Sequence, residues 1–284
     1  MWLTFALLAV VFRSGQNFAE KASQNKLGSR LTALMVMVIS SLMLLPMIIG
    51  QAPQLGKWFW PAILMSCGLY LAAKPMRLYA LGNGEISKIV PLFSLQVIIS
   101  LFLGIIVLKE YPTWCGLVGV LLMVGGSFLV IGFNSQALKL ASRKVLFYLF
   151  VSLILGALMQ IIDKVAINNS YPKSPNLVIF WETILCVPLF LLILPDKGKD
   201  FKKLAKPINW KLPILIGFLY SLKNLFGYNA LSDGYVAYVA AINQLALFLA
   251  VWGGKKFLKE KMTLRQMAGA VIIAVGAVLI GVWG

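Results

Sequence analysis

The chain has 284 residues, 60% of them hydrophobic and 12% charged, with a mean hydropathy of +0.88. Ordinary soluble domains hold about 45–50% apolar and about 25% charged residues, so a water-soluble globule is excluded and an integral membrane protein is predicted. No histidine is present, which excludes Ser-His-Asp hydrolysis, HExxH zinc sites and histidine-ligated haem. The 26 Lys+Arg against 9 Asp+Glu give +17, read as orientation signals beside anionic lipid and not as a nucleic-acid surface.

A spanning helix needs about 20 apolar residues. Ten apolar runs follow one another at 1–20, 30–50, 58–81, 86–108, 112–133, 145–167, 176–195, 211–231, 235–257 and 263–283. The first starts at Met1 without a basic n-region or small-residue cleavage site, so it is predicted to be a retained span. Glycines such as Gly119, Gly126, Gly269 and Gly276 mark helix-packing seams, because small residues let backbones approach in lipid. Cys67, Cys115 and Cys186 lack close CxxC spacing and read as small buried hydrophobes. No GxGxxG or Walker signature occurs, and nothing calls for a metal or cofactor.

Loops after odd-numbered runs carry 18 Lys/Arg and loops after even-numbered runs carry 4. The positive-inside rule then places both termini outside the cytoplasm. A shift of 150 residues aligns the chain with itself without gaps. Trp60 meets Trp210, Tyr70 meets Tyr220, Leu108-Lys109-Glu110 meets Leu258-Lys259-Glu260, and Gly119 and Gly126 meet Gly269 and Gly276. Between 60–132 and 210–282 the identities number 15 of 73. Five spans per copy is an odd number, so the second copy must insert upside down. The expected fold is all-α: ten transmembrane helices as two inverted five-helix repeats, 1–133 and 145–284, joined by a cytoplasmic linker at 134–144. Inverted repeats of this kind build secondary transporters whose cargo site lies near the midplane.

The segment PLFSLQVIISLFLGIIVLKEYPTWCGLVGVLLMVGGSFLVIG and its echo FLKEKMTLRQMAGAVIIAVGAVLIG resemble the paired repeats of EamA-type transporters in the drug/metabolite transporter superfamily. Glu110 and Glu260 match the glutamate of that family's inter-helix turn, and Pro91 matches a proline common in the preceding helix. The turn's glycine and arginine are replaced here, and Ala241 stands at the second copy's proline position. The family is usually described with cytoplasmic termini, opposite to the charge count.

Charges inside spans are expensive and generally face a cavity or a partner. Arg13, Asn17 and Glu20 share one face of the first span, and Tyr70, Lys74 and Arg77 share one face of the third. The eighth span answers with Tyr220, Lys223, Asn224 and Asn229; the fourth and ninth add Ser94, Gln96, Asn243 and Gln244. The sixth and seventh bring Gln160, Asp163 and Glu182. Arg77, Glu20, Asp163 and Lys164 lie near span ends and are expected to snorkel. The predicted cargo site comprises Lys74, Lys223, Tyr70, Tyr220, Asn224, Asn243 and Gln244. Glu182 is the candidate proton-coupling group, and Glu110 and Glu260 are structural turn residues.

The resemblance and the cation-rich face together imply a secondary transporter working by alternating access in the cytoplasmic membrane. Its small-molecule cargo would be an anionic or zwitterionic metabolite such as an amino acid, organic acid or phosphorylated sugar. A lipid-precursor flippase and an intramembrane enzyme are the competing classes; the second lacks a GxGD or similar signature. Lipid is the expected partner, and monomer and dimer stay open. A C-terminal alkaline phosphatase fusion is expected to be active and a C-terminal fluorescent-protein fusion dark; the reverse pattern would place the termini in the cytoplasm.

Overall fold

Within a bilayer no water satisfies backbone N–H and C=O groups, so a spanning chain closes its hydrogen bonds inside helices or a sealed barrel. A computed structural model, describing residues 1–27, 29–83, 90–131, 143–193, 210–246, 249 and 263–284, shows the helical solution. Ten α-helices occur among these residues. In the first half they are α1 (Trp2–Leu27), α2 (Ser29–Ile48), α3 (Phe59–Asn83), α4 (Leu95–Leu103) and α5 (Trp114–Ile131). In the second they are α6 (Arg143–Asn168), α7 (Pro175–Ile193), α8 (Lys211–Asp233), α9 (Val236–Ile242) and α10 (Leu264–Trp283). A short antiparallel ladder pairs β1 (Gln54–Leu55) with β2 (Ser170–Tyr171) and ties the α2–α3 loop to the α6–α7 loop.

The exterior suits lipid. Leu42, Ile106 and Leu192 are 65%, 72% and 73% exposed, values that would favour aggregation in water. Exposed Trp58, Trp114 and Trp283 sit by the helix ends nearest the termini, and Trp210 sits by the opposite end. This is the placement of an interfacial aromatic belt. Inside, hydroxyls fold back onto their own helices, as Ser14 does to Val10 and Ser221 to Gly217. By length and composition α6, α10 and Pro175–Leu192 of α7 are apolar enough to cross a membrane, with shorter apolar stretches in α1, α2, α4 and α5. Helices α3 and α8 fall short because each carries polar residues at mid-length, Lys74 and Arg77 in one and Lys223 and Asn224 in the other.

The packing shows the internal symmetry. Helix α3 lies along α6, and α1 lies along α8; exchanging each helix for its repeat mate turns one pair into the other. Helices α5 and α10 are mates that pack on each other, as are α2 and α7. In the first of these pairs Gly119 meets Gly276 and Gly126 meets Gly269, so the helices run antiparallel. A twofold that relates antiparallel neighbours must run perpendicular to them, which places it in the membrane plane. A Cβ on Gly119 would sit 2.8 Å from the Gly276 carbonyl, and one on Gly269 would sit 2.7 Å from the Gly126 carbonyl. Neither backbone leaves room for a side chain.

Three expectations need correction. The ninth run is not one continuous helix: α9 stops at Ile242 and the chain turns at Asn243–Gln244 before helix resumes at 245–246. The fourth run changes winding at the mates of those residues, with a 3₁₀ turn over Val90–Ser94, α4, and then a π turn over Gly104–Leu108. Pro91 has no N–H to extend an α-helical ladder there. Among the cysteines, Cys67 and Cys186 are buried but Cys115 is exposed on α5. Of the linker expected at 134–144, residues 134–142 lie outside the described residues, and Arg143 and Lys144 open α6.

Substituting Gly119→Val or Gly269→Val forces a side chain into backbone, where overpacking costs about 1–3 kcal/mol. Both variants are expected to lower the thermal unfolding midpoint in detergent by similar amounts, because the sites are symmetry mates. Gly125, with nothing near its Cβ position, is the control, and Gly125→Val should leave the midpoint unchanged.

Candidate functional site

Helical periodicity places Ser66, Tyr70, Lys74 and Arg77 on one face of α3, and Tyr220, Lys223, Asn224 and Tyr228 on one face of α8. These faces converge with the middle of α1 and α6. Between them lies a cavity of about 150 Å³ bordered by Arg13 and Gln16 of α1, by Gln96, and by Ser152, Gly156 and Gln160 of α6. Four cations therefore gather around one space: Arg13, Lys74, Arg77 and Lys223. Two are braced by aromatic faces. The Lys223 ammonium lies 4.7 Å from the Tyr220 ring centre, and the Arg77 guanidinium lies 4.3 Å from that of Phe93. Gly156 leaves room for the Gln96 amide, which a Cβ there would meet at 3.1 Å.

Tyr70 and Tyr220 are repeat mates and touch edge to face, with ring centres 6.5 Å apart at 68°. Mates in contact lie on the pseudo-twofold, so this pair marks its passage through the site. At the neighbouring mate positions the copies diverge: Lys74 answers Asn224, and Ala73 answers Lys223. All four border the cavity.

Past the tyrosine pair, toward the end that carries the termini, is a chamber of about 20 Å³, the size of a single water. It shares Tyr70, Met159, Tyr220 and Tyr228 with the cavity and adds Ser66, Cys67, Glu182 and Cys186. At its wall Ser66 donates to Asp163 at 2.5 Å, and the Tyr228 hydroxyl reaches Asp163 at 2.9 Å. The same hydroxyl contacts Glu182 Oε2. Glu182 Oε1 has no hydrogen-bond partner among the described residues.

Of the residues expected in the cargo site, Tyr70, Lys74, Tyr220, Lys223 and Asn224 border the cavity. Asn243 and Gln244 do not; they occupy the turn after α9. Glu182 belongs to the adjoining chamber. Asp163 and Lys164 do not snorkel: they are 2% and 6% exposed. Arg77 turns into the cavity. Glu260 and the side chains of Asn17 and Glu20 lie outside the described residues. Tyr228 and Ser66 went unremarked in the sequence, although each falls one turn along the helix faces already identified.

Glu110 does more than shape a turn. Its Oε2 accepts from the Val236 N–H at the start of α9, and its Oε1 pairs with Lys164 at 3.2 Å. Lys164 also donates to the Gly234 carbonyl at 2.7 Å, and Lys173 donates to that of Ser232 at 2.8 Å. Lys109 turns the chain into this arrangement with φ 55°, a left-handed conformation uncommon outside glycine. The two halves are thus latched together at the end bearing the termini, while the cavity extends along α3 from Tyr70 to Arg77, away from that end.

A polar cavity at the interface of two inverted five-helix repeats defines a membrane transporter of the inverted-repeat class. The chain belongs to the EamA-like transporter family, whose model matches residues 1–132 and 142–282. The same fold is seen in a solved protein crystal structure, aligned with a TM-score of 0.75 over 98% of this chain and 95% of that one, at 11% identity. No curated protein matches.

The Glu110–Lys164 latch is testable by a double-mutant cycle. Removing one partner of a buried pair costs roughly 3–5 kcal/mol, so Lys164→Met and Glu110→Gln should each lower the unfolding midpoint. The double variant is expected to lose less than the two losses combined, with a coupling above about 1 kcal/mol.

Proposed function

We propose that this transporter moves a small anionic or zwitterionic organic metabolite by alternating access. The observation that carries the reading is the convergence of Arg13, Lys74, Arg77 and Lys223 on one cavity at the repeat interface. An ammonium at bilayer depth costs about 2.5–3.5 kcal/mol on insertion scales. A carboxylate or phosphate on the cargo offsets that cost when bound, and Gln16, Gln96, Gln160 and Asn224 offer hydrogen bonds to the remainder. Amino acids, organic acids and phosphorylated sugars all fit this chemistry.

The asymmetry of loop charge supports placing both termini outside the cytoplasm. The latched end is then extracytoplasmic and the cavity lies on the cytoplasmic side, which is an inward-facing arrangement. Opening the other way requires the Glu110–Lys164 latch to separate.

A thermal-stabilisation screen of amino acids, organic acids and phosphorylated sugars on purified protein identifies the cargo class. Lys74→Ala or Lys223→Ala is expected to weaken the best anionic ligand at least tenfold, about 1.4 kcal/mol, with folding retained. Equal affinity in folded variants, or a best ligand that is purely cationic, would overturn the anion site.

A further inference from the structure

Three oxygen–oxygen contacts meet at the chamber wall: Ser66 to Asp163, Tyr228 to Asp163, and Tyr228 to Glu182. Each hydrogen bond needs one hydrogen. Ser66 and Tyr228 supply one each, and ionised carboxylates supply none. The third contact therefore requires a proton on the carboxyl pair. The surroundings agree. Glu182 is 8% exposed and its Oε1 lacks a partner among the described residues. An orphaned oxygen is tolerable on a neutral carboxyl and far more costly on a buried charge.

We propose that Asp163, Glu182 and Tyr228 form a single proton-holding site, and that Lys223 couples its proton to anion binding in the neighbouring cavity. The proton belongs to the group and not to one residue, as expected for two acids bridged by one hydroxyl. It passes between the pair and water, and the chamber has space for one water molecule.

Among the described residues the groups facing the pair are few. Helix α3 brings Cys67 and Tyr70, α7 brings Cys186, and α8 brings Tyr220, Tyr228 and Lys223; α2 contributes only Met37. Cys67 is occupied, donating to the Glu182 main-chain carbonyl at 3.4 Å. Among these groups Lys223 is the one cation, and it stands on the face of α8 that also carries Tyr228. It also borders the cavity. An anion that neutralises Lys223 removes positive charge from beside the acids and favours retention of their proton. By linkage, the protonated pair favours the anion to the same extent. Proton and anion then travel together. This coupling rests on the anionic-cargo reading; the proton-holding site stands without it.

Infrared spectroscopy of the full chain in lipid nanodiscs reads the carbonyl stretch of a protonated carboxyl and needs no cargo. At neutral pH the wild type is expected to show this band, and Asp163→Asn/Glu182→Gln is expected to lose it. A wild type without the band, or a band that survives in the double variant, overturns the proton site. If the double variant does not fold, Tyr228→Phe replaces it: loss of the bridging hydroxyl should shift the band, and an unshifted band counts against the site. Lys223→Met mimics neutralisation by an anion and should move the band's disappearance to higher pH by about half a unit or more. An unmoved midpoint overturns the coupling. A purely cationic best ligand in the stabilisation screen would instead refute the cargo reading and leave the band intact.

Discussion

Gly119 rests on Gly276 and Gly126 rests on Gly269, and the geometry of the whole bundle depends on these approaches. Each glycine touches not its own mate but the mate of the other glycine in its helix. Contact through bare backbone holds α5 and α10 close and antiparallel, and this requires a twofold in the membrane plane. Once that axis exists, α1 must lie on α8 wherever α3 lies on α6, and Tyr70 must confront Tyr220. In lipid no hydrophobic effect drives helices together, so such close packing carries much of the cohesion.

On this symmetric frame the charges are distributed without symmetry. Arg13 and Asp163 occupy mated positions, yet one borders the cationic cavity and the other bonds Ser66 and Tyr228 at the wall of the chamber. Lys74 and Lys223 miss equivalence by a single residue. The result is a polar path with cations on one side of the tyrosine pair and acids on the other. A carrier that binds an anion and also holds a proton needs this separation, because mixing the two sets would merely form permanent ion pairs.

Much of this was legible in the sequence. The gapless repeat located the paired glycines, and the faces holding Tyr70, Lys74 and Arg77, and Tyr220, Lys223 and Asn224, follow from helical spacing alone. The partners of Asp163 and Glu182 were harder to see, because Ser66 and Tyr228 are unremarkable residue types in an apolar chain. Asn243 and Gln244 looked like site residues by polarity. They lie at a helix interruption, a change of backbone path that composition does not reveal. Asp163 and Lys164 stand side by side in sequence and part company in space, since neighbours on a helix point about 100° apart. One bonds Ser66 and Tyr228 behind the chamber wall, and the other reaches Glu110 across the repeat boundary.

The contact between Tyr70 and Tyr220 has a consequence for how the two copies can diverge. After duplication, most mated positions acquire separate neighbours, and each is free to change alone; Lys74 and Asn224, or Ala73 and Lys223, record that freedom. A residue on the axis is its own counterpart's neighbour. Any change to one tyrosine alters the environment of the other in the same step, so the two positions are inherited as one character. The pseudo-twofold exchanges off-axis contacts between the halves, while it carries this one into itself. On the alternating-access reading proposed above, the tyrosine pair would meet cargo from both sides of the membrane with the same face.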